Sequence, residues 1–89
     1  MTQPTERDTR IMKMVQRFID EANRLKDQGE PPELVNAALM LASGTYATYL
    51  AAGNQGHLKP SGIDKVAAAY RHNLELVQKL KQAETQGDG

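Results

Sequence analysis

The side chains of this 89-residue chain best suited to chemistry on a small molecule are Tyr46, Tyr49, Asn54, His57 and Tyr70. Phenol rings offer flat apolar surface with a hydroxyl handle, and carboxamides supply paired donors and acceptors. Gly53 and Gly56, either side of Asn54 and Gln55, let a ligand come close to the backbone. Those five residues form a candidate ligand site at the end of a helix and the loop after it. The plainer reading is the stronger one. Tyrosines at helical spacing are usually core residues with the hydroxyl at the rim, and Gly-Asn-Gln-Gly is ordinary turn chemistry.

Catalysis has less support. Imidazole is the side chain best placed for proton transfer near neutral pH, but no Ser, Asp or Glu stands at a spacing that defines a partner for His57. His72 falls opposite the apolar stripe of its helix, where solvent is expected. Cysteine is absent, which removes disulfides, thiol nucleophiles and thiolate metal sites, and two histidines far apart do not define a zinc site. Gly53 and Gly56 lack the preceding strand, the lysine and the spacing of a phosphate loop. The expectation is a protein that is not an enzyme, with no cofactor and no metal.

Charge narrows the partners. Eleven basic residues balance eleven acidic ones, so no overall field draws in nucleic acid or an anionic membrane. Arg10, Lys13, Arg17 and Arg24 line one face of the first helix, yet Glu6, Asp20 and Glu21 share that face. Arg17 with Glu21, or Asp20 with Arg24, stand four apart and suit ion pairing. No apolar run follows a basic start, as a secretory signal requires, and the chain reads as cytoplasmic.

Three helices must position these residues. Thr5 and Asp8 have the spacing of a capping box, predicting a first helix from about Glu6 to Gln28. At 100° per residue, Ile11, Met14, Val15, Phe18, Ile19, Ala22 and Leu25 share one arc. Gly29 suits a left-handed stop, and Pro31 with Pro32 suits a new first turn. The second helix is expected from about Pro32 to Ala52. The third is expected from about Gly62 to Ala83, capped by Ser61 and Asp64, with Ile63, Val66, Ala67, Tyr70, Leu74 and Val77 as its apolar stripe. Residues 1–5 are expected to be a flexible N-terminus, 6–83 a single helical domain and 84–89 a disordered tail.

The second helix is the unusual one. From Leu34 to Leu58 the chain carries no Asp, Glu, Lys or Arg, although a quarter of the sequence is charged. About 20 apolar residues are enough to span a bilayer, but Asn36, Ser43, Thr45 and Thr48 dilute this stretch, and the expectation is no membrane insertion. One arc, with Leu34, Val35, Ala38, Leu39, Ala42, Tyr46, Tyr49 and Leu50, is assigned to a core. The other is small and uncharged: Ala37, Met40, Ser43, Gly44, Ala47, Thr48 and Ala51. Within it Ala37, Met40, Gly44, Ala47 and Ala51 form a candidate interface, because small residues let a second helix approach closely. A mid-helix glycine costs about 0.5–1 kcal/mol relative to alanine, which favours a packing reason for Gly44.

Phe18, Ile19, Asp20, Ala22 and Asn23, then Ala37, Ala38, Leu39, Met40, Ala42, Ser43 and Tyr46, then Tyr70, follow an order that resembles a small bacterial family catalogued only as a domain of unknown function. The resemblance covers about residues 15–80, and the Gly53–Gly56 loop departs from the more acidic connection of that family. It implies a small helical bacterial protein and supplies no activity. The sequence therefore predicts an all-α antiparallel three-helix bundle with the second helix central. Its expected role is a homo-oligomeric or adaptor-type interaction module, with a homodimer or another protein helix as partner. The alternative is a small-ligand binder at the tyrosine-rich end of the second helix.

Overall fold

The computed structural model describes residues 5–87, the last two of these by backbone alone. Three α-helices account for most of them: α1, Glu6–Asp27; α2, Pro32–Ala52; and α3, Pro60–Gly87. No strand occurs among the described residues, in agreement with the all-α expectation. Of the expected flexible segment 1–5, only Thr5 lies within the described residues, and it has a defined role. Its backbone is extended and its hydroxyl accepts from the Asp8 amide at 3.0 Å, while the Asp8 carboxylate accepts from the Thr5 amide at 3.3 Å. Two amide donors at the helix start are thus satisfied reciprocally, as the Thr-x-x-Asp spacing implies.

The end of α1 is equally legible in hydrogen bonds. The Gly29 amide donates to the Lys26 carbonyl at 3.0 Å and the Glu30 amide to the Leu25 carbonyl at 3.1 Å, with Gly29 at φ +108°. This is a Schellman closure, which needs a residue free of the Cβ penalty at that one position. Pro31 then offers its carbonyl to the amides of Leu34 and Val35 at 3.0 and 3.1 Å. Pro32, the first residue of α2, loses nothing by lacking an N–H there.

The third helix departs from its expected bounds at both ends. It starts at Pro60, with the Lys59 carbonyl accepting from the Ile63 amide at 3.0 Å, so Ser61 lies inside the first turn and does not cap it. Proline at the first helical position decides the boundary, because its fixed φ is already helical. At the other end Glu84 to Gly87 are helical rather than a disordered tail; only residues 88–89 of that expectation lie outside the described residues. A Lys81–Glu84 ion pair at 3.6 Å and a Thr85 hydroxyl donating to the Lys81 carbonyl at 3.0 Å accompany the added turn.

Backbone contacts divide between Gly44 and Thr45, inside the continuous helix α2. In the first unit α1 and the leading part of α2 form a helical hairpin, with Ala22, Leu25 and Val35 half-buried. In the second, Ala47, Thr48 and Ala52 at the end of α2, Leu58 in the loop, and Gly62 and Val66 on α3 are half-buried. A Cβ placed on Gly62 would sit 3.3 Å from the Leu58 side chain, which folds back over the start of α3.

Three helices are present, but the expected core does not form among the described residues: none of them is buried. Phe18, Tyr46 and Leu50, all assigned to core arcs, are 66, 64 and 70% exposed. The reason is geometric. Each unit pairs two helical segments, and such a pair shields one line of contact on each, whereas an apolar arc of 100° or so needs a further layer to cover it.

Candidate functional site

Helix α2 has no charged residue after Glu33, and the chain next carries one at Lys59. The expected split of this helix into a covered face and an open face is not what the structure shows. Ala47 and Thr48, assigned to the open face, are half-buried, whereas Ala38 and Ala42, assigned to the core, are exposed. Alanine, leucine and tyrosine recur at every angle around α2, so it presents apolar surface on all sides rather than along one stripe.

The candidate interface residues Ala37, Met40, Gly44 and Ala51 are exposed on this helix, with Ala47 half-buried beside them. The Asn36 carboxamide donates weakly to the Met40 sulfur at 3.8 Å, one turn on, which steers that flexible side chain along the helix. A Cβ built on Gly44 meets nothing within 4 Å, so no packing among the described residues requires glycine there.

Leu41 is the residue that sequence reasoning missed. It is 73% exposed, yet it was placed on neither arc. Its position two turns beyond Leu34, itself 59% exposed, was the available signal, since residues seven apart share a helix face.

Of the candidate ligand residues, the structure brings Tyr46 and Tyr49 together, with ring centroids 6.1 Å apart and planes tilted by 49°. That is the edge-inclined geometry aromatic quadrupoles favour. Asn54 and His57 are exposed in the loop, and Tyr70 is exposed on α3. The loop is shaped by two glycines that act differently. Gly53 has φ +80° and donates to the Tyr49 carbonyl at 2.8 Å, ending α2. Gly56 does not have a positive φ; instead a Cβ on Gly56 would lie 2.2 Å from the Ala52 carbonyl oxygen. The side chain is missing because the backbone has no room for one.

In the first unit an open groove of about 230 Å³ runs between α1 and α2, floored by Ile19, Ala22, Val35 and Leu39, with Asn23, Lys26 and Asn36 among its polar lining. The ion pairs among the described residues lie on α1 and α3. Glu21 and Arg24 pair through both carboxylate oxygens, in place of the four-residue spacings expected, and Gln16 occupies Asp20 with a 2.8 Å hydrogen bond. The hydrogen bond from Arg24 holds the Glu21 carboxyl below its ordinary value of 4.5, and Arg24 is raised by the same contact. On α3, Arg71 and Glu75 stand 3.7 Å apart.

Helix α2 is 21 residues long with a mean hydropathy of 1.2 over its apolar window, which makes it long and apolar enough to cross a membrane. Among the described residues no group of three or more His, Asp or Glu is placed to hold a metal ion. What the geometry offers is exposed apolar surface on all three helices, with α2 carrying no charge after Glu33, and no family model, curated protein or solved structure matches the chain.

Proposed function

We propose that this chain is a self-associating helical interaction module, with α2 as the contact helix and a three-helix bundle completed only in the assembly. One observation carries the reading. Phe18, Leu34, Leu41, Tyr46 and Leu50 are each 59–73% exposed while no described residue is buried. Scattered surface leucines are ordinary, but a chain that leaves most of its large apolar residues open, with only Leu25, Val35, Leu58 and Val66 half-buried among those described, has an apolar surface that calls for cover.

A second copy suits this surface better than a charged partner. The chain is formally neutral, so copies meet without net repulsion. In a two-fold dimer every residue near the axis faces its own symmetry mate, and a charge there would face a like charge. Helix α2 satisfies that condition from Leu34 to Ala52.

Size-exclusion chromatography with light scattering should report a dimer or larger, and Gly44→Glu should shift it to monomer. The added side chain has room within the single chain, so that shift would report a contact outside it. A strictly monomeric parent protein at high micromolar concentration sinks the reading.

A further inference from the structure

We infer that folding and self-association of this chain are a single equilibrium: the helices gain a core only when a second copy covers them, so the fold is itself controlled by concentration. This rests on the self-association reading and adds to it that the separated chain does not hold its tertiary structure.

Burial of apolar surface is the main favourable term in folding, and ordering the chain is the main cost. In this chain the cost is fully incurred, with three long helices and two closed turns, while the return is small because no described residue is buried. Half-buried Ala22, Leu25, Val35, Leu58 and Val66 are the most that the two units achieve. Local devices such as the Thr5–Asp8 cap and the Gly29 closure favour helix ends but supply no core.

The occupant is a second copy rather than a partner of one charge sign. Both α1 and α3 carry acidic and basic residues intermixed, and α2 has nothing charged beyond Glu33. A second copy, itself neutral and presenting the same charge-free stretch of α2, covers this surface without leaving an unpaired charge.

Dilution of the unmodified full chain tests this. Circular dichroism at 222 nm, thermal melts and sedimentation equilibrium are recorded together over three decades of concentration, from about 100 μM downward. Helical signal and mass should fall in the same range, and the melting midpoint should drop by roughly 3–6 °C for each tenfold dilution, the scale set by mass action for a dimer of this size. A mass that falls to monomer while the ellipticity and melting midpoint stay constant overturns the coupling and leaves self-association standing. A monomer at every concentration overturns both. In that case a gain of helix on neutral phosphatidylcholine vesicles would assign the apolar surface of α2 to lipid instead.

Discussion

Gly56 and Gly29 show how two glycines in short connections answer to different physics. Gly29 is needed for a dihedral, φ +108°, and Gly56 for space, since its missing Cβ would overlap the Ala52 carbonyl oxygen. Gly56→Ala must move backbone at the end of α2, and should cost about 1–3 kcal/mol in a urea melt, the range for stored local strain. The sequence marks both positions as breakers but cannot separate them, because the dihedral and the close approach exist only after the chain has turned. The Glu21–Arg24 pair is a second residue-scale case. Its carboxyl is held below 4.5 by Arg24, so its contribution is present above that pH and disappears as pH falls through the lowered value. Glu21→Gln should lose a little stability near neutral pH and match the parent once the pH is below the lowered value. The loss should shrink with added salt, since both side chains are exposed to solvent.

The elements themselves were largely written in the sequence. Capping chemistry at Thr5 and Asp8, a glycine stop at Gly29 and a proline start at Pro32 are local codes, read within four residues of where they act, whereas Pro60 was expected in the loop. Where two local codes competed, the stiffer one prevailed: Pro60 opened α3 before Ser61 could cap it. Thr5→Ala removes one acceptor from the start of α1 and should lower stability by about 0.5–2 kcal/mol. Amide hydrogen exchange should show the loss first at residues 6–9, at the N-terminus of α1, with α3 unaffected. Covered and open faces were less legible. Helical angle fixes which side chains point the same way, as for Leu34 and Leu41, but not which direction another element lies. On α2, apolar all round, no stripe breaks that tie.

At the scale of the whole molecule, missing charge became missing cover. Residues 34–58 were expected to bury one face against α1 and α3 and to leave the other open, yet both faces hold exposed apolar side chains. A helical wheel shows which residues share a face and not what lies against that face. At the tyrosine-rich end of α2, Tyr46 and Tyr49 meet by helical spacing alone, while the placement of Asn54, His57 and Tyr70 depends on how a seven-residue loop from Gly53 to Lys59 turns. Dilution and light scattering on the intact chain address this scale directly.

One feature bears on where the chain tolerates being cut. Contacts divide between Gly44 and Thr45, but the backbone does not: α2 passes through that boundary as an unbroken helix. A chain opened there would leave two remnants of α2, one of them only two turns long, and helices shorter than about 12–15 residues do not persist alone in water. A chain opened between Asn54 and Gln55 keeps all three helices entire. The seam in the contacts is therefore the wrong place to divide the gene, and the turn after Gly53 is the place where two fragments can begin and end.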